Sequence, residues 1–365
     1  MSKLDQARAD INRIDAEMAR LFEQRMQAAA EIAAYKQARG LPVKDAAREA
    51  ALIERNCGYI EDDTIREYYV QFLRSTIDVS CDYQRRLMGK MRVAYSGTEG
   101  AFAHISAGRI FPNAERISHR DFRSAYEAVR CGTCDCAVLP IENSYSGEVG
   151  EVMDLLFFGP LHVNGVYELA IRQNLIAVPG TRMEDIRQVI SHPQALGQCS
   201  GYLHDHGWQA VEYANTALAA EHVAHLGDKS VAAIASEETA ALYGLEILQP
   251  NINASRQNTT RFAVVSRTEN RTLGKNMGDH FMLVFTSRNE AGSLATALDI
   301  LGNKYGYNMR TLRSRPVKEL LWEYYFYLEA EGNIFSDKGQ QMLRDLEPFC
   351  DRIKVIGTFA RNTVL

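Results

Sequence analysis

The sequence predicts a multidomain protein: an all-α segment, then an α/β segment, then a small α+β segment of βαββαβ order. Three observations carry this. No proline or glycine occurs between Ser2 and Arg39, while Ile11, Ile14, Met18, Leu21, Phe22 and Ile32 recur at helical spacing. At Met91 the pattern changes to short alternating strands and helices, which continue to about Ser266. A polar stretch from Arg267 to Asp279 then precedes a last set of strands and helices. With 365 residues, 46% hydrophobic and 24% charged, the chain is long enough for the two or three cores this implies.

The first segment begins with one helix of nearly forty residues, about 57 Å long at 1.5 Å per residue. That exceeds the width of a compact domain, so the helix needs partners along its length, in a coiled coil or an intertwined dimer. Gly40-Leu41-Pro42 ends it, Asp45 is placed to cap a second helix through about Cys57, and a third runs from about Thr64 to Met88. In the α/β segment Arg92 to Ser96 reads as a strand, followed by the loop Gly97-Thr98-Glu99-Gly100 and a helix. The last segment reads as strand 280–287, helix 292–305, strands 307–315 and 322–331, helix 336–349 and strand 351–358, the ferredoxin-like order. The expected domains are 1–90, 91–267 and 279–365.

Net charge is −5 and no basic run stands out, which argues against nucleic acid as a partner. No stretch approaches the roughly 20 apolar residues of a membrane span, and the charged N-terminus does not resemble a signal peptide, so the cytoplasm is expected. The seven cysteines are odd in number and scattered, so reduced thiols are expected. Cys131-Gly132-Thr133-Cys134-Asp135-Cys136 looks like half a zinc site, but no second Cys or His pair follows at ligand spacing. Cys134 and Cys136 instead alternate into an apolar strand as small hydrophobes.

Arg25 and Lys36 lie eleven residues apart, about three turns, and share one helix face. Arg8, seventeen residues before Arg25, is roughly 25 Å away along the axis, so a functional Arg8 is expected to serve a partner subunit's pocket. Asp45, Arg48 and Glu49 share the first turn of the second helix; Ser80 and Gln84 form an i,i+4 pair on the third. Singly these read as surface charges and a cap. Jointly they resemble the all-helical chorismate mutase family, over residues 4 to 88. The resemblance implies an intertwined dimer in which Arg8 of one chain joins Arg25, Arg48 and Ser80 of the other to hold two carboxylates. It also implies that Lys36 and Gln84 bond the breaking ether oxygen, and that Glu49 with Asp45 holds the ring hydroxyl. Chorismate rearrangement is unimolecular, so positioning and charge stabilisation suffice, without metal, cofactor or titrating base.

Four segments of the α/β part border predicted strands: Gly97-Thr98-Glu99-Gly100-Ala101-Phe102, Pro140-Ile141-Glu142-Asn143-Ser144, Ser191-His192-Pro193-Gln194-Ala195-Leu196-Gly197-Gln198-Cys199 and Asn258-Thr259-Thr260-Arg261-Phe262. In this order they resemble prephenate dehydratase, which implies two α/β lobes around a cleft, similar to periplasmic binding proteins. Prephenate must lose carbon dioxide and its ring hydroxyl, so a proton donor and grips for two carboxylates are needed. By the resemblance Thr260 is the donor, with Glu142 a second candidate acid, and Asn143 and Gln198 bind and orient. Arg261 and the Gly97 loop amides are anion-binding candidates, and for Arg261 and His192 a structural role is the alternative. The family's serine after the aromatic residue of the Gly loop is Ala103 here, leaving that carboxylate to backbone amides.

Residues 279–365 resemble the ACT domain, through Ala291-Gly292-Ser293-Leu294 and Arg313-Ser314-Arg315-Pro316. The resemblance implies L-phenylalanine as an allosteric inhibitor bound at a dimer interface, in a homodimer or higher oligomer. Arg313 stands where the family has glutamate, reversing the charge of that pocket. Arogenate in place of prephenate, and a non-catalytic amino-acid sensor, are the alternatives.

Overall fold

A computed structural model describes residues 2–39, 41–89, 91–254, 257–270, 279–288, 290–316, 324–360 and 363–365. They form two compact units, residues 1–91 and 92–365.

The first unit is helical. Helix α1 (Lys3–Arg39) carries Asp5 in its first turn and Lys36 and Arg39 in its last, each matched to the helix dipole. The Asp45 carboxylate accepts from Arg48 N at 3.0 Å to cap α2 (Ala46–Cys57), and Asp62 accepts from Thr64 N at 2.8 Å to cap α3 (Asp63–Met88). The buried face of α3 is Leu73, Ile77, Ser80, Cys81 and Gln84, opposite Ala29 and Ala33 of α1, whose small side chains let the helices approach. The first half of α1 behaves differently. Leu4, Ile11, Ile14, Met18, Leu21 and Phe22 lie at near-heptad spacing and remain 43% to 63% exposed. Gly40 and the linker residues 271–278 fall outside the described residues.

The second unit holds two sheets. One lobe contains β1 (Arg92–Ser96), β2 (Glu115–His119), β3 (Cys136–Asn143), β4 (Gly147–Glu148) and β5 (His162–Ala170). The other contains β6 (Asn174–Ala177), β7 (Gln188–Ser191), β8 (Gln209–Glu212), β9 (Val231–Ala235) and β10 (Glu246–Gln249), in the order β10-β6-β9-β7-β8. The chain then returns to the first lobe as β11 (Thr259–Ser266), which pairs antiparallel with both β3 and β5. The described residues 171–173, and 250–254 with 257–258, thus lie on the two crossings between lobes. Every residue of β6 and β9 is buried, as expected for strands covered on both faces.

The C-terminal strands are β12 (His280–Ser287), β13 (Asn308–Pro316), β14 (Tyr324–Glu331), β15 (Cys350–Phe359) and β16 (Thr363–Val364). With helices Ser293–Asp299 and Asp337–Leu346 the order through β15 is βαββαβ. The first helix ends in a π-turn at Ile300–Lys304, and Pro348 converts the end of the second into a 3₁₀ turn. Trp322, expected at the start of β14, lies outside the described residues.

The expected boundary between 267 and 279 does not separate compact units. β15 and β16 pair with β5, giving one sheet in the order β13-β14-β12-β15-β5-β11-β3-β1-β2. The physical reason is that β12 is apolar on both faces. Phe281, Leu283 and Phe285 pack under the local helices, whereas Met282 and Val284 join Tyr325, Tyr327 and Phe359 in a core with Leu139, Val166 and Ala263 of the first lobe. Phe157 stacks on Tyr325 with ring centroids 4.2 Å apart. Cys134 is buried in this core, and burial pushes the Cys136 thiol up to about 12.

Candidate active sites

A cavity of about 600 Å³ in the helical unit is lined by Arg25 and Lys36 of α1, by Asp45, Arg48 and Glu49 at the start of α2, and by Ser80, Cys81 and Gln84 of α3. The cations are held in place: Arg25 Nε donates to Ser80 Oγ at 3.0 Å, and Lys36 Nζ to Val43 O at 2.5 Å. Gln84 lines the cavity and is buried, and its Oε1 has no hydrogen-bond partner among the described residues. Sequence reasoning missed Cys81 and Glu31, which also line the cavity. Cys81 Sγ lies 3.8 Å from Glu49 Oε1; burial and then the Glu49 carboxylate push its pKa up, leaving an S–H to donate to Glu49. Arg8 is exposed on α1 and does not line the cavity.

In the second unit the register opposes Thr260 to Asn143 and Arg261 to Glu142. Successive side chains of a strand point to opposite faces, so Asn143 and Thr260 share one face while Glu142 and Arg261 share the other. On the first face Asn143 Oδ1 accepts from Tyr145 N, Ser146 N and Ser146 Oγ at 2.9, 3.0 and 3.1 Å. Three donors on one oxygen fix the amide orientation, and Nδ2 therefore donates to Thr260 Oγ1 at 2.9 Å and Asn258 Oδ1 at 2.7 Å. Both crossing segments reach Gln198. Gln173 Nε2 donates to its Oε1 at 3.3 Å, and Ala254 N to its backbone oxygen at 2.9 Å. His192 caps the helix Pro193–Gln198 by accepting from Gln194 N at 3.2 Å. Gln194 Nε2 in turn donates across the lobes to Ser146 Oγ at 2.7 Å. Asn143, Gln198, Asn258 and Thr260 are all buried.

On the other face Glu142 meets not Thr260 but guanidinium groups. Arg261 Nη1 donates to it at 3.3 Å, and Arg313 of β13 pairs with its second oxygen. Arg261 Nη2 reaches the buried Glu329 at 3.0 Å, which also pairs with His280 Nδ1 at 3.0 Å. Burial disfavours the Glu329 carboxylate, but His280 and Arg261 outweigh it and hold its pKa below the ordinary value. Arg315 bonds Glu148 at 2.6 Å and Asp154 at 3.1 Å. The geometry thus removes Glu142 and Arg261 from the face that carries Thr260. Of the Gly97 loop amides, Gly97 N is taken by His119 O, Gly100 N by His104 Nδ1 and Ala101 N by Thr98 O, so these three are not open to an anion. Ser314 and Pro316 lie on the exposed face of β13, and Gly292, at φ +90°, precedes the helix that carries Leu294.

The all-helical cavity of fixed cations and a neutral amide, and the two-lobed unit built around buried amides and a hydroxyl, are two separate candidate sites in one chain, and the cations of the first suit a small carboxylate. The chorismate mutase type II profile matches residues 7–85, and the prephenate dehydratase profile residues 93–270. The bifunctional chorismate mutase/prephenate dehydratase of Enterobacter agglomerans is 31% identical over 373 residues, 98% of this chain and 96% of that one. Arogenate dehydratase/prephenate dehydratase 2 of Arabidopsis thaliana is 35% identical over 285 residues, 76% of this chain and 74% of its own. The structure of a prephenate dehydratase in complex with L-Phe from Arthrobacter aurescens matches with TM-score 0.68 at 28% identity, covering 74% of this chain and 90% of that one. The chain belongs to the bifunctional chorismate mutase/prephenate dehydratase family. It rearranges chorismate to prephenate and converts prephenate to phenylpyruvate, consecutive steps of phenylalanine biosynthesis.

Proposed function

We propose that the mutase works as an intertwined dimer, in which Arg8 of the partner subunit completes each helical cavity. The observation that carries this is that seven of the eight expected residues line one cavity while the eighth, Arg8, lies outside it on the same helix as the exposed apolar stripe. Arg25, Arg48 and Ser80 hold the two carboxylates, Lys36 and Gln84 bond the ether oxygen as its charge grows, and Glu49 with Asp45 holds the ring hydroxyl. Analytical ultracentrifugation should give a dimer or larger; a monomer that retains full mutase activity would end this reading.

In the dehydratase Thr260 donates to the ring hydroxyl. The electron pair of the breaking carbon–carboxylate bond enters the ring, carbon dioxide departs, and the hydroxyl leaves after taking a proton, so that aromatisation drives the step. Asn143 and Gln198 orient the substrate. Prephenate is the substrate because the same chain makes it. The name of the Arabidopsis relative keeps arogenate as a second reading, decided by comparing kcat/KM for the two compounds.

The C-terminal βαββαβ region is an ACT domain that takes L-phenylalanine near Gly292, Leu294 and Ser314, a reading supported by the L-Phe complex of the Arthrobacter relative. Arg313 and Arg315 carry the effect to the first lobe, through Glu142 and through Glu148 and Asp154. Calorimetry with millimolar phenylalanine should show binding and the dehydratase should slow; no heat and unchanged activity would refute it. The proposed compartment is the cytoplasm.

A further inference from the structure

The Thr260 hydroxyl is useful as a donor only if its proton points at the substrate, and something must hold it so. Asn143 Nδ2 donates to Thr260 Oγ1 at 2.9 Å, which fills an acceptor position of the hydroxyl and turns its own hydrogen elsewhere. The same Nδ2 has two rivals for its hydrogens, Asn258 Oδ1 at 2.7 Å and the Thr259 backbone oxygen at 3.3 Å. The shortest of the three contacts is therefore to Asn258, a residue 3% exposed in the crossing segment between the lobes. Asn258 holds this arrangement at a cost. Its Nδ2 is buried and has no hydrogen-bond partner among the described residues. Turning the amide over would set N–H against N–H at Asn143, so the side chain keeps the acceptor and leaves the donor unsatisfied. A buried donor left so is uncommon and calls for a reason.

We propose that Asn258 is a positioning residue of the dehydratase: the three donors on Oδ1 set which end of the Asn143 amide is the oxygen, and Asn258, by accepting from Nδ2, holds that end at the angle that aims the Thr260 hydroxyl. The inference rests on Thr260 as the donor. It places part of the catalytic geometry on a crossing segment, so that movement of one lobe against the other would disturb the donor.

The test uses the full-length protein with prephenate as substrate, and each variant is checked by circular dichroism and thermal unfolding. Asn258→Leu removes the acceptor and should lower kcat about 10²-fold, the usual magnitude for losing an oriented proton donor, with KM changed by less than about threefold. In a Thr260→Ala background the same replacement should lower kcat by less than about threefold further, because two residues that act as a unit are not additive. Asn258→Asp keeps an oxygen toward Asn143 and should recover kcat to within about fivefold of wild type. If Asn258→Leu does not fold, Asn258→Ser, too short to reach Asn143, replaces it with the same expected loss. A folded Leu or Ser variant with near-normal kcat, or losses that multiply with Thr260→Ala, would overturn the proposal. If Thr260→Ala alone keeps its kcat, the donor assignment falls and this inference with it; if Thr260→Ala is inactive and Asn258→Leu is not, only this inference falls.

Discussion

Gln84 and Thr260 are the two residues to which the proposed reading assigns the separate chemistries. Gln84 stays neutral at every pH and offers its amide to an ether oxygen, so Gln84→Ala should lower the mutase kcat by about 10²-fold or more while the dehydratase stays within twofold. Thr260→Ala should do the reverse, with a loss of similar size. Loss of both activities in either folded variant would contradict separate sites. Glu142 gives the converse test. It is flanked by Arg261 and Arg313 on the far face of its strand, which favours a role as ion-pair partner over one as acid. Glu142→Gln should therefore cost about 1–3 kcal/mol of stability by unpairing those guanidiniums, yet leave the pH profile of the dehydratase unchanged. A kcat loss of about 10²-fold with a flattened acidic limb would restore the general-acid assignment.

Strands β3 and β11 show what a motif conceals. Thr260 and Arg261 are neighbours in sequence and so invited one site, but strand alternation sends them to opposite faces. That Asn143 faces Thr260 depends on a pairing register 117 residues apart, which no local pattern encodes. Gln173 was missed because it belongs to no motif; its only sign was the polar break Arg172-Gln173-Asn174 between apolar strands. Helices fared better: α1, α2 and α3 follow from apolar spacing, the Asp45 cap and the absence of proline, all local signals. The helix Gly150–Phe158 ends against β15, where Lys354 Nζ donates to Leu156 O at 2.7 Å and Arg352 to Phe157 O at 3.3 Å. Burial, then Arg352, push the Lys354 ammonium down to about 8. A lysine depressed in the folded state is penalised while charged, so the fold gains stability as pH rises from about 8 toward the unfolded value near 10.4. The melting temperature of wild type relative to Lys354→Met should accordingly rise between pH 8 and about 10; a constant difference would show that Lys354 is not depressed.

For the whole chain, the order of its parts was legible because periodicity changes at Met91 and again after Ser266. Its division was less so. The polar stretch looked like a domain boundary, yet the double-faced β12 packs with β14 and β15 into the same unit as the dehydratase lobe. The exposed stripe of α1 makes a prediction for the assembly. Arg8→Ala and Arg25→Ala should each be nearly inactive as mutases, and mixing them after subunit exchange should restore about a quarter of wild-type activity, since half of the dimers are then hybrids with one intact site. No recovery after verified exchange would place Arg8 outside the neighbouring cavity. The most direct test of the central claim, that one chain runs two consecutive reactions, is to supply the purified protein with chorismate in metal-free buffer, with and without phenylalanine. Prephenate and phenylpyruvate would be followed by chromatography. Transient prephenate followed by phenylpyruvate, slowed by phenylalanine, is the expected result. Consumption of chorismate that stops at prephenate would contradict the dehydratase assignment and leave only the helical site standing.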